Sequence, residues 1–483
     1  MKTNTLDFDA QALREKILDL AMRGKLVPQD PNDEPASVLL EKIKAEKEQL
    51  IKEKKIKKKD WNLPEKHKTD NLPQGWQKTS LKEITTPFTL NDGDWILSKN
   101  MIPYSDVKLI QLGSIGEGKY IDKGFKYISQ DTFDELNCTE IKPGYLLINR
   151  LINKQKMMAT ILPKIEGKLI TAVDICWIAP SSYFNQEFMM YQLLSPAFQN
   201  KVNKLTSGST RKRISKGNLT SIELFLPPLE EQSRIAAKIA QLFALLRKVE
   251  SSTQQYAKLQ TLLKSKVLDL AMRGKLVEQD PNDEPASVLL EKIKAEKEQL
   301  IKEKKIKKSK PLPPISDEEK TFEIPDSWEW VRLGDIGEIF AGGDKPKTFS
   351  KTKDKYHTVP IYSNGIENKG LYGFTDKARV YDPAITLSAR GTIGHVEYRK
   401  KPYLPIIRLI SFVPYNEKCL NCIFYFLQSE ILIEKGDGSS IPQLTVPKLK
   451  PKLIPFPPLS EQKRISAKVA QLFALLRKDE SSN

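Results

Sequence analysis

The sequence predicts an α+β protein in which two mixed α/β domains are joined by two long antiparallel helical regions of coiled-coil type, arranged as a circular repeat with pseudo-two-fold symmetry. Three observations lead there. Residues 18–58 and 268–308 are identical except for Pro28 against Glu278. LPPLEEQSRIAAKIAQLFALLRKVESS at 226–252 returns as FPPLSEQKRISAKVAQLFALLRKDESS at 456–482. The two repeats are offset by different lengths, so their own sequences are held constant while the material between them varies.

In chain order the first repeat, a variable segment and the second repeat follow one another, and the series then runs again. The central junction runs the second repeat straight into the first, and a first repeat opens the chain while a second closes it. Joining the termini would create two equivalent units. From Leu229, apolar residues at Ile235, Ile239, Leu242, Leu246, Val249, Tyr256, Leu259, Leu263, Val267 and Leu270 fall mostly three and four apart, the stripe of a long helix. From Leu229 to Arg273 that helix would span roughly 67 Å at ~1.5 Å per residue. Gly274 suits the position just past its end, and Pro285 the first turn of a second helix expected to reach about Lys308. The stretches 10–23 and 459–480 carry the same patterns, which predicts a matching helical arm from the two termini.

The variable segments read differently. KLIQLGSI, GYLLINR, KMMATILP and LITAVDICWIAP in the first, and TVPIYSNGI, AITLSARGTIGHVEY and LPIIRLISFVP in the second, are short, β-branched and punctuated by Gly and Pro. Each segment then carries one amphipathic helix, at 185–195 and 416–429. A fainter echo pairs Pro73-x-x-Trp76 with Pro325-x-x-Trp328, each followed by Leu and Ile (Leu81, Ile84; Leu333, Ile336). The expected division is 1–58 helical, 59–228 first variable domain, 229–308 central helical spacer, 309–458 second variable domain and 459–483 helix pairing with the N-terminal segment.

The chain has 483 residues and a net charge of +17. A basic balance points to a polyanionic partner. Its distribution weakens that inference, because EKIKAEKEQLIKEKKIKK occurs at both 41–58 and 291–308 and carries nearly half of the excess on helices that solvent can face. No apolar run is long enough to span a bilayer, and MKTNTLDFDAQALREKI lacks the apolar stretch of a signal peptide. A cytoplasmic protein is expected. Four scattered cysteines, Cys138, Cys176, Cys419 and Cys422, are too few for a disulfide framework in a chain of this length.

The chemistry-bearing motifs fall away one by one. Gly113–Tyr120 nearly matches a phosphate-cradling loop, but Tyr120 stands where Ser or Thr would hold magnesium, and strand rather than helix follows. Cys419-x-x-Cys422 is half a zinc site without a second half. Both Pro-Pro pairs, before Leu229 and Leu459, lack the acidic or amide residue and the aromatic ring of an amine-methylating loop. His67, His357 and His395 form no ligand set. No catalytic constellation and no metal or cofactor site is expected on this chain. Basic loops bearing hydroxyls and amides remain, the residue types that contact DNA phosphates and base edges. In the first variable domain these are Lys154 and Lys156, then Lys204, Arg211, Lys212 and Arg213. In the second they are Lys345 and Lys347, Asn364 in Tyr362-Ser-Asn, and Arg390 in Ser388-Ala-Arg-Gly-Thr392. Double-stranded DNA is the expected ligand.

Taken together, LDLAMRGKLVPQDPNDEPASVLLEKI, PPLEEQSRIAAKI and the Pro-x-x-Trp that opens each variable domain resemble the specificity subunits of type I restriction–modification enzymes, and the likeness extends over essentially the whole chain. The resemblance implies two target recognition domains, each reading one half of a split DNA sequence, held apart by the helices. It implies docking of two modification subunits that bring S-adenosylmethionine and methylate adenine. It implies restriction subunits, with ATP and magnesium, further out. It assigns no catalytic residue to this chain.

Overall fold

A computed structural model describes residues 9–57, 72–208, 211–390, 393–429 and 444–478. The chain divides into two compact units, residues 9–252 and a second made of residues 253–483 together with 1–8. Each is built from a first repeat, a variable segment and a second repeat.

In the first unit, helices α1 (Ala10–Met22) and α2 (Ala36–Lys52) form the repeated segment. Nine strands follow: β1 (Gln77–Ser80), β2 (Leu90–Asp92), β3 (Val107–Ile110), β4 (Phe125–Ile128), β5 (Leu146–Asn153), β6 (Lys156–Ile161), β7 (Lys168–Thr171), β8 (Ile175–Ile178) and β9 (Glu223–Leu226). Between β8 and β9 lie α3 (Gln186–Leu194) and α4 (Pro196–Lys204), with Ser195 ending one and capping the other through its hydroxyl. The strands make an antiparallel four-stranded sheet in the order β2-β8-β5-β6, a three-stranded sheet β4-β3-β7 and a ribbon β1-β9. Helix α5 (Leu229–Met272) is 44 residues long; its first part, to Ser252, belongs to this unit.

The second unit takes the rest of α5, then α6 (Ala286–Lys302) and nine more strands. These are β10 (Glu329–Arg332), β11 (Gly337–Ala341), β12 (Val359–Tyr362), β13 (Leu371–Thr375), β14 (Ala384–Ser388), β15 (Val396–Arg399), β16 (Leu404–Pro405), β17 (Leu409–Pro414) and β18 (Leu453–Phe456). Helix α7 (Leu420–Leu427) packs on the sheet and α8 (Leu459–Lys478) closes the unit. The sheet orders are β11-β17-β14-β15, β13-β12-β16 and β10-β18. Adding nine to each strand number of the first unit reproduces them, so two dissimilar sequences share one topology.

Period-two burial explains the continuous apolar runs of the variable segments. In β5, Leu146 and Ile148 face the core shared with the helices, and Leu147 faces a second core against the three-stranded sheet. The main core of each unit combines both repeats with the sheet. In the first, Leu18, Met22, Leu40 and Ile43 of α1 and α2 meet Trp76, Ile148, Phe188 and the α5 residues Ile235 and Ile239. In the second, Leu268, Met272, Leu289 and Ile293 meet Trp328, Phe412, Phe426 and the α8 residues Ile465 and Val469.

The recurring sequence signatures are the latches of these cores. The Trp76 indole N–H donates to Glu231 at 3.0 Å, and Trp328 to Glu461 at 2.8 Å. Gln232 and Gln462 donate to the carbonyls of Pro227 and Pro457, both at 2.9 Å, closing the start of each helix. Arg234 grips Asp33 with both Nη atoms, and Arg464 grips Asp283 in the same way. Trp from the variable segment, Asp from the first repeat and Glu-Gln-x-Arg from the second are thus one interlocking set per unit.

Gly24 and Gly274 hold φ of +65° and +66°, and a Cβ on either would lie within 2.5 Å of a Pro73 or Pro325 ring carbon. Replacing Gly274 by Ala should cost about 1 kcal/mol for the left-handed backbone and more for the clash. A Tm unchanged in G274A would contradict this close approach.

The helix expected to reach Lys308 ends at Lys302, and its copy ends at Lys52. Lys304 and Lys54 turn into left-handed backbone, and Lys305 and Lys55 donate back to the carbonyls of Leu300 and Leu50. Ile56 is buried by this reversal. The stop is driven by an apolar residue beyond it rather than by a glycine, which is why the pattern of lysines did not betray it.

Candidate nucleic-acid interface

The first unit gathers its basic residues at one end of the four-stranded sheet. β5 and β6 join through a two-residue turn in which Lys154 and Gln155 both have positive φ, 45° and 64°, the form that matches strand twist. Asn203 of α4 donates to the Gln155 carbonyl at 2.8 Å, which ties Lys204 at the helix end to this turn. The Arg213 N–H and carbonyl both pair with Ser207, and the Ile152 N–H donates to the Lys212 carbonyl at 2.9 Å. Lys154, Lys204, Arg211 and Lys212 therefore surround one hairpin, all exposed. None of the four has an ion-pair partner among the described residues.

Lys156 is turned elsewhere: its ammonium lies 3.0 Å from Glu117 and 3.5 Å from Glu15 of α1. Arg213 pairs with Asp174, Nε to Oδ1 at 3.0 Å. Beneath them Arg150 is buried, paired with Asp92 at 3.1 Å, and donates to the carbonyls of Val173 and Ile214. Burial pushes the Asp92 carboxyl up, and Arg150 opposes that shift. Arg150 is a structural clasp rather than a contact residue.

In the second unit, Lys345 and Lys347 are exposed on the segment after β11. Lys345 lies 4.5 Å over the Phe349 ring and Lys351 4.0 Å over Tyr372, and the two rings are 5.5 Å apart. Asn364 is engaged at both ends of its amide: its carbonyl accepts from the Ala389 N–H at 2.7 Å and its nitrogen donates to the Arg390 carbonyl. It holds the Arg390 loop in place, and the half-buried Arg390 follows β14. Ser209, Thr210, Gly391 and Thr392, on the same loops, lie outside the described residues, as does His67.

The shared topology places these loops in register. The Gly93 N–H donates to Ile175, the Asp94 N–H to Thr171 and the Arg150 N–H to Asp174; the Gly342 N–H donates to Leu409, the Gly343 N–H to Pro405 and the Ala389 N–H to Arg408. Lys345 thus occupies the segment that carries Trp95 in the first unit, and Arg390 the hairpin that carries Lys154. The sequence reading missed the exposed rings of that segment, Trp95 (68% exposed) and Tyr104 (74%) in one unit and Tyr356 (74%) in the other. It also missed Lys351, Lys353 and Lys355, although their spacing in KTFSKTKDKYH was a visible signal. Exposure of an aromatic ring leaves no mark on the sequence.

The near phosphate-loop motif forms a tight turn, with the Gly116 N–H bonded to the Lys119 carbonyl and Ile115 bridged to Tyr120. Cys419 and Cys422 are buried, and burial pushes the Cys419 thiol up to about 12 and Cys422 well above its ordinary value. His357 pairs with Asp354 at 2.9 Å and His395 with Glu397 at 3.3 Å, at separate places. Among the described residues no helix is long and apolar enough to cross a membrane.

The model of the type I restriction modification DNA specificity domain matches residues 73–260 and 325–482. The chain is 31% identical to the type I restriction enzyme EcoAI specificity subunit of Escherichia coli, over 98% of this chain and 90% of that one. The EcoEI specificity subunit of the same organism is 34% identical over 68% of this chain and 62% of its own length. A solved chain from a study of complex assembly and conformational transition of the type I R-M system covers 85% of this chain and 93% of its own, with a TM-score of 0.55 at 18% identity, a likeness of fold.

Proposed function

This chain belongs to the family of type I restriction–modification DNA specificity subunits, and from that premise we propose that it binds a bipartite double-stranded DNA target, one half read by the variable domain of each unit. Subunits of this family are not catalytic themselves. The observation that carries the reading is one strand order built twice from dissimilar sequences, with different side chains on equivalent loops. A common frame with exchanged loops suits two readers of different half-sites.

The near-identical repeats present the same residues twice, which suits two copies of one modification subunit. Those subunits would bring S-adenosylmethionine and adenine methylation, and restriction subunits would add ATP- and magnesium-dependent cleavage. The division at 1–58, 59–228, 229–308, 309–458 and 459–483, with the circular pairing of the terminal helices as an antiparallel coiled-coil arm, is part of this proposal. So is the role of α5 as a ruler. Mapping methylated adenines in cells carrying the three subunits tests the whole reading. A two-part motif that disappears on deletion of this chain is expected; a contiguous motif, or none, would sink it.

Within the first unit, Lys154, Arg211 and Lys212 serve as phosphate contacts. Replacing all three by Ala should weaken binding to every duplex and lower the slope of log K against log salt by about 2–3, with the motif unchanged. Lys156→Ala, already satisfied by two carboxylates, should leave the slope where it was. Titrations at several salt concentrations would decide both.

A further inference from the structure

We propose that Arg213 is the base-reading side chain of the first unit, that it selects a G·C pair, and that Asp174 is its positioning residue. The proposal rests on the reading of this chain as a DNA specificity subunit and names the side chain that carries it. A guanidinium offers five N–H donors in a rigid fork, and its terminal edge matches the O6 and N7 acceptors of guanine. Such an edge discriminates only if it is aimed before DNA arrives.

Arg213 meets that condition. Its Nε lies 3.0 Å from Asp174 Oδ1, an ion pair without hydrogen-bond alignment, with side-chain exposures of 39% and 29%. Among the described residues, its Nη1 and Nη2 have no protein partner. Its backbone is fixed on both sides, the N–H donating to the Ser207 carbonyl at 2.9 Å and the carbonyl accepting from the Ser207 N–H at 3.0 Å. Buried Arg150 clamps the neighbours of both partners: its Nη2 binds the Val173 carbonyl, its Nη1 the Ile214 carbonyl, and its own N–H the Asp174 carbonyl. Reader and brace therefore share one buried anchor. Arg211 and Lys212 beside it are exposed and carry no such brace, as phosphate contacts require.

The second unit is different at the equivalent corner. Arg408, whose carbonyl accepts from the Ala389 N–H as that of Asp174 accepts from Arg150, stands in place of the carboxylate. Among the described residues that corner carries no such carboxylate, and the second half-site is then read by other chemistry.

The test uses the full complex with modification subunits and duplexes carrying the motif mapped for the wild type, with each base pair of both half-sites replaced in turn. Arg213→Ala and Arg213→Lys should lose discrimination at one G·C pair of one half-site by about 10- to 100-fold, and leave the other half-site unchanged. The lysine variant should retain the salt slope of the wild type, which separates base reading from charge. Asp174→Asn should lose part of the discrimination at the same pair, an effect that mere folding damage would not confine to one position. Unchanged discrimination in Arg213→Lys, or equal weakening at every pair, would overturn the proposal while the functional reading stands. A wild-type complex that recognises no motif would overturn that reading itself.

Discussion

Insertion of one heptad after Ser251 should lengthen the gap between the two halves of the recognised motif by about three base pairs while leaving the bases of both halves unchanged. Seven residues add about 10.5 Å to an α-helix and preserve its apolar stripe within ~20°. At about 34 Å per ten base pairs, that length corresponds to three steps of DNA. The site is suitable because α5 is one helix from Leu229 to Met272 and Ser251 lies next to the division between the units. Insertion of three residues instead should disrupt the stripe and reduce modification altogether. Methylation mapping of cells carrying each variant reads both results. Altered half-site bases with an unchanged gap would refute the role of α5 as a ruler.

Trp328→Ala should destabilise the second unit more than any other single truncation among the signature residues, by about 3–5 kcal/mol for the lost ring and about 1 kcal/mol for the hydrogen bond lost at Glu461 Oε2, Gln279 still donating to Oε1. Trp328 is 3% exposed, touches the Phe426 ring at 6.4 Å between centroids and donates to Glu461. Burial already pushes the Glu461 carboxyl up, and the Trp328 hydrogen bond is the main influence pulling it back. Trp328→Phe retains most of the area and loses only the donor, so its effect should be about 1–2 kcal/mol. Hydrogen exchange localises the damage: amides in 268–293 and 459–476 should lose protection, and those in 18–43 and 229–240 should not. An unchanged Tm for Trp328→Ala would show that the latch holds nothing.

The sequence signatures and the latches are the same residues, which is why so much was legible. Pro-x-x-Trp, Asp-Glu-Pro and Glu-Gln-x-Arg recur because in each unit the tryptophan donates to the glutamate and the arginine grips the aspartate. The loops that face DNA lack that constraint. Lys154 and Lys156 look alike in sequence, yet a turn with positive φ sends one to solvent and the strand after it sends the other to Glu15 and Glu117. Asn364 reads in sequence as a candidate DNA contact, and the backbone of Ala389 and Arg390 engages both its oxygen and its nitrogen.

By itself the sequence determined the repeat, the helix from Leu229, the strand-rich variable segments and the absence of a catalytic motif, because periodicity and self-similarity are properties of neighbours along the chain. Only the tertiary structure decided that each variable segment is gripped by the repeats on both sides of it, that the two share one strand order, and that Asp174, far from Arg213 in sequence, braces it. Those are contacts between residues distant in the chain, set by how sheets and helices bury their apolar faces. No local pattern encodes which charged side chain such packing leaves free and which it consumes.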